Sequence, residues 1–123
     1  METWQIVLLC LAGFAAFIPP YFFVLGKISQ KGSSPGLKDG QLQHCSRFAM
    51  NCVCSEYPED KRWFDAPIDV AAVEMPLQQA AKVIESMGGK VIAQNEMYLA
   101  STFTTSLYKF VDDVEIRLDD SDK

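Results

Sequence analysis

Met75-Pro-Leu-Gln-Gln-Ala-Ala-Lys-Val-Ile-Glu-Ser-Met87, closed by Gly88-Gly89 and followed by Lys90-Val-Ile-Ala-Gln94, is the stretch that decides the fold. Pro76 suits the first helical turn, where its missing amide has no intrahelical partner, and Glu74 complements the positive helix start. Leu77, Ala80, Ala81, Ile84 and Met87 recur at helical spacing and form one apolar stripe, with Gln78, Gln79, Lys82, Glu85 and Ser86 on the polar side. Gly88-Gly89 supplies the left-handed cap. The polar side lacks the basic residues of a membrane-surface helix, so the stripe is expected to pack on a sheet.

The strands lie downstream. Lys90–Gln94 reads as one, Asn95-Glu96 as a turn, and Met97–Thr105, rich in β-branched and aromatic residues, as a second. Leu107–Val111 reads as a strand or the approach to one. Asp112-Asp113 breaks it, and Val114-Glu-Ile-Arg-Leu118 alternates strictly, predicting Val114, Ile116 and Leu118 inward and Glu115 and Arg117 outward to solvent. Helix followed by strands gives an α+β domain of antiparallel strands packed against one helix, about 75–87.

Upstream, Glu56–Arg62 reads as a surface loop. Trp63 and Phe64 open a short extended run ended by Pro67, and at least one of them is expected to anchor the core. Before them come three of the four cysteines, Cys45, Cys52 and Cys54. Three readings compete: a Cys45–Cys52 disulfide leaving Cys54 as the free thiol, a metal site of His44, Cys45, Cys52 and Cys54, and three reduced thiols. Against metal, adjacent His44 and Cys45 seldom reach one ion, and Cys-x-Cys is not the structural-zinc knuckle. A thiol-redox module would need an activated thiolate, and only His44 and Arg47 lie near in sequence.

Ile6–Leu25 is a run of twenty residues without a charge. As a helix it spans about 30 Å, the thickness of a bilayer core. Trp4 at one end and Tyr21-Phe22-Phe23 near the other suit the interfaces. Pro19-Pro20 is expected to kink or end the helix. Were it to stop at Ile18, the remaining apolar run would have the size of a signal-peptide core, but Met1–Trp4 carries no Lys or Arg and no small-x-small cleavage site follows. Residues 1–27 are read as an uncleaved single-pass membrane anchor, 28–41, rich in Gly, Ser and Pro, as a flexible linker, and 42–123 as the folded domain.

Composition narrows the function. The 123 residues carry a net charge of −5, which argues against nucleic acid as a partner. No Ser-His-Asp set, phosphate loop or cofactor motif is present, so neither catalytic residue nor cofactor is assigned. Asp112, Asp113 and Glu115 could do acid–base work, but a turn and an exposed strand are the simpler reading. The acidic end Asp119–Asp122 lacks calcium-loop spacing.

Asp39-Gly-Gln-Leu-Gln-His-Cys45, Asn51-Cys-Val-Cys-Ser-Glu56, Tyr98-Leu-Ala100 and Phe110-Val-Asp-Asp-Val-Glu-Ile-Arg-Leu-Asp119 resemble the family catalogued as domain of unknown function 1499, over about residues 37–119. The resemblance maps the family's cysteine pair onto Cys45 and Cys52; Cys54 stands where members more often have Ser. Members are small bacterial and plastid proteins, often with a membrane or export segment, and no activity is established for them. They usually continue past the Val-Asp-Asp-Val-Glu strand, which implies a truncated member or a protein partner completing the sheet edge. Orientation is contested: Lys27, Lys31 and Lys38 favour a cytoplasmic C-terminus, whereas a cysteine pair and an exported family favour the outside. The expected setting is a bacterial inner membrane with a periplasmic domain that interacts or supports rather than catalyses, the alternative being the thiol or metal module.

Overall fold

The computed structural model describes residues 1–120. In chain order its elements are α1 (Thr3–Gln30), β1 (Leu37–Lys38), β2 (Gln41–Leu42), α2 (Pro76–Ser86), β3 (Lys90–Gln94), β4 (Tyr98–Thr104) and β5 (Val111–Arg117). The chain is α+β and forms two compact units: residues 1–32 with 104–112, and residues 33–103 with 113 onward.

In the second unit, β3, β4 and β5 form a sheet in that order. β3 and β4 pair antiparallel with a bulge between Val91 and Ala93. β4 and β5 are antiparallel too, because Leu118 N–H donates to Met97 O at one end and Thr105 N–H to Phe110 O at the other. Asn95 makes the expected turn, its Oδ1 accepting from the amides of Met97 and Tyr98.

α2 lies on one face of this sheet, its Leu77 and Ile84 buried with Leu99, and with Ala81, Val91, Phe103, Ile116 and Leu118 packed around them. Ser101, fully buried beside them, is satisfied by donating its hydroxyl to Val114 O at 3.1 Å. The helix ends in a Schellman turn: Gly89 N–H reaches Ile84 O, Gly88 N–H reaches Glu85 O, and Gly88 takes φ +90. Gly89 is required by packing, since a Cβ there would lie 2.6 Å from Ile84 Cγ2 and 2.7 Å from Phe103 Cζ. Met87, expected on the stripe, is exposed, because it already belongs to this turn.

The opposite face corrects the sequence reading. Glu115 and Arg117, expected in solvent, are half-buried. Residues 34–57 hydrogen-bond to side chains of that face. Ser34 Oγ donates to Asp113, Gly36 N–H donates to Glu115 Oε1 at 2.8 Å, and Glu56 pairs with Arg117. Alternation identified two faces correctly; it could not say that irregular backbone covers the second.

The Gly/Ser/Pro stretch read as a linker is therefore partly structured. Leu37–Lys38 and Gln41–Leu42 pair antiparallel around Asp39-Gly40, whose φ of 53 and 78 are those of a type I′ hairpin turn. Trp63 and Phe64 lie outside the Leu77–Ile84–Leu99 core. Phe64 bridges to Cys54 in a single parallel pair, and Trp63 donates Nε1–H to Ala49 O at 3.1 Å.

In the first unit, α1 is one unbroken helix of 28 residues, about 42 Å long. It passes through Pro19 and Pro20 where a kink or end was expected, and it is long and apolar enough to cross a membrane. Its start is capped by Gln5, whose Oε1 accepts from the Glu2 amide at 2.9 Å. The Leu107–Val111 strand reading fails up to Phe110. Lys109 takes φ 58, and Phe110 N–H donates to Thr105 Oγ1, closing a turn that hands over to β5 at Val111. This turn lies along the last turns of α1. Ser29 Oγ donates to Val111 O and accepts from Val111 N–H, while Gln30 donates to Lys109 O.

Candidate functional site

The residues that hold chemistry in the second unit gather in the 38–63 segment. Cys45 and Cys52 are joined by a disulfide, Cα–Cα 5.9 Å, seven positions apart. The loop it closes carries Phe48, 84% exposed, and Met50, 90% exposed; Val53, just outside it, is 69% exposed. Trp63 secures the loop through Ala49, and the Arg47 guanidinium lies 5.7 Å from the Phe48 ring centroid. Phe48 and Met50 thus stand in water on a loop whose closure by the disulfide limits its conformational freedom.

Beside the loop, His44 stacks on Tyr57, ring centroids 3.4 Å apart and planes 13° from parallel. His44 Nδ1 lies 2.7 Å from Asp60 Oδ2. Tyr57 donates its hydroxyl to Leu42 O, and burial, with the charges of Cys54 and Glu56, pushes its phenol pKa upward. Together with Lys38, Asp39, Gln41 and Gln43, these rings line a shallow groove of about 460 Å³. A His held by a carboxylate resembles two thirds of a nucleophilic triad. Cys54 instead points its Sγ at Gln43 O, 3.6 Å away.

The sequence-level candidates fall as follows. Cys45 and Cys52 are bonded to each other, and Cys54 and Cys10 are free thiols. The alternative metal quartet is not assembled: among the described residues no group of three or more His, Cys, Asp or Glu is placed to hold an ion. Asp113 and Glu115 tie down residues 34–36, and Asp112 is exposed. Glu115 also accepts the Tyr98 hydroxyl; burial first, then that bond, drives the Tyr98 pKa well above its usual value. Arg117 hydrogen-bonds Glu56 through both Nε and Nη2 and holds its carboxyl below the ordinary range.

The profile of a family described as "Protein of unknown function (DUF1499)" matches residues 41–123. The chain belongs to this family. No curated protein and no solved structure matches it. The DUF1499 match takes in the disulfide loop, the His44–Tyr57–Asp60 set and the Glu56–Arg117 pair, so the face of the sheet opposite α2 and the part of its covering from residue 41 onward lie within the family's own region. Sequence reading missed Tyr57, Asp60 and Glu56 as partners. The signal available for the hairpin around Asp39-Gly40 was that type I′ dipeptide, flanked by the short arms Leu37-Lys38 and Gln41-Leu42.

Proposed function

We propose that the protein is a membrane-anchored domain outside the cytoplasm, periplasmic in a bacterial inner membrane, which acts by binding a protein partner rather than by catalysis. The observation that carries the reading is α1, whose apolar side chains, Leu8, Leu11, Phe14 and Phe17 among them, stand exposed along its length. Such a surface is stable only in lipid or against another protein. The disulfide supports an oxidising compartment. Phe48, Met50 and Val53 supply the contact surface, and β5, an outer strand of its sheet, offers a second place where a partner strand can add.

The test uses the full chain in its own cells. Membranes are washed with high salt and with alkaline carbonate, and intact cells are treated with a membrane-impermeant maleimide. The protein is expected to stay in the pellet, with Cys54 modified from outside and Cys45 and Cys52 unreactive until reduced. Release by salt removes the anchor; a Cys54 left unmodified in intact cells but modified after lysis removes the outside placement.

A further inference from the structure

α1 and the turn between β4 and β5 are in register with each other, and that register sets a depth. If Ile6–Leu25 fills the hydrocarbon core, Phe22 and Phe23 lie about 3–5 Å inside its boundary, at 1.5 Å per residue. The Tyr108 ring centroid is 5.3 Å from Phe22 and 5.2 Å from Phe23. Phe110 stands slightly farther from Phe22, at 6.4 Å. The backbone of the turn touches the helix at Gly26, one residue past the apolar run, where a Cβ would lie 1.9 Å from Tyr108 O. One turn further out, Ser29 and Gln30 bond Val111 and Lys109. The Tyr108 ring therefore points back down the helix, toward lipid.

The cluster is not a closed aqueous core. With the turn in place, Tyr21 is still 61% exposed and Leu107 65% exposed. Phe23, Val24 and Ile28 are exposed as well. Aromatic rings at an apolar–polar boundary suit the headgroup layer, and Lys27, Lys31 and Lys109 can reach lipid phosphates from there.

We propose that Leu107 and Tyr108, at the tip of the β4–β5 turn, enter the lipid interface beside α1 as a second membrane contact. This rests on the anchoring reading above. The experiment places an environment-sensitive fluorophore at Leu107→Cys in the full chain carrying Cys10→Ser and Cys54→Ser, with the Cys45–Cys52 bond left oxidised. The protein is reconstituted in phosphatidylcholine vesicles bearing nitroxides either near the headgroup or near the acyl ends. Phe14→Cys and Met50→Cys, labelled in the same background, report the span and the aqueous phase.

The expected result is emission at 107 shifted to shorter wavelength than at 50 and quenched most by the shallow nitroxide, with 14 quenched most by the deep one. Water-like, unquenched emission at 107 while 14 is quenched overturns the inference and leaves the anchor standing. Blue-shifted but unquenched emission at 107 assigns the tip to a protein surface, such as a second copy, and overturns it too. An unquenched label at 14 overturns the anchor and the inference with it.

Discussion

Replacing Glu56 by Gln keeps the shape of the side chain and removes its charge. Arg117, only 18% exposed at its side chain and bound to Glu56 through two nitrogens, then faces a neutral amide with one accepting oxygen and one NH2 that cannot accept. Asp119, 3.8 Å from Nη2 and exposed, compensates in part. Breaking a fully buried pair from one side costs about 3–5 kcal/mol; with this partial exposure and the second carboxylate, about 2–3 kcal/mol is expected. For a domain of this size that is a fall in midpoint of about 8–24 °C. Since Glu56 Oε1 also accepts from Leu42 N–H, the loss should be felt across the segment covering the sheet. The assay is urea unfolding of the full chain in micelles followed by Trp63 fluorescence, with Trp4→Phe removing the other indole. A cycle with Arg117→Met completes it, and the double variant should recover much of the loss. The wild-type contribution is also pH-dependent. Because Arg117 lowers the Glu56 pKa below its ordinary 4.5, the stabilisation is complete above that value and is lost as pH falls through the folded-state value. Fully additive single substitutions, or a loss under about 0.5 kcal/mol, would refute the claim that this pair fastens residues 34–57 to the sheet.

Reducing the Cys45–Cys52 bond should cost about 2.5 kcal/mol by loop-closure entropy, read as a lower urea midpoint in dithiothreitol that Cys45→Ser reproduces. Gly89→Ala drives a methyl into Ile84 and Phe103 and should destabilise by about 1–3 kcal/mol; an unchanged midpoint would show that the contact yields. Gly26→Ala places a Cβ on Tyr108 O, so the Val111 amide, now held by Ser29 Oγ, should exchange with solvent deuterium faster than in the parent. Equal protection would show that the turn does not need the glycine.

The helix-and-sheet core was legible because one period organises it. Leu77, Ala81 and Ile84 mark a helical face, Gly88-Gly89 has a dedicated role in stopping it, and residues 90–94 and 97–105 are continuous β-rich runs. Legibility failed where backbone without periodicity does the work. The covering of Asp113, Glu115 and Arg117 comes from residues 34–57, some 60 to 80 positions away, and no local pattern announces it. Leu107–Val111 has strand composition, yet the bonds to Ser29 and Gln30 and the positive φ at Lys109 shape it into a turn; tertiary partners override propensity. At the candidate groove, His44 was visible as the sole histidine, but Asp60 lies sixteen residues on and Tyr57 carried no motif.

The closed loop between Cys45 and Cys52 has a practical result for anyone handling the molecule. Arg47 is exposed within it, so a trypsin-like enzyme has a target there. A single cut after Arg47 severs the peptide chain but not the molecule, because Cys45 and Cys52 fall on opposite fragments and stay joined through sulfur. Nicked protein would migrate as one band on a non-reducing gel, heavier by one water in a mass spectrum, and separate into residues 1–47 and 48–123 only when a thiol is added.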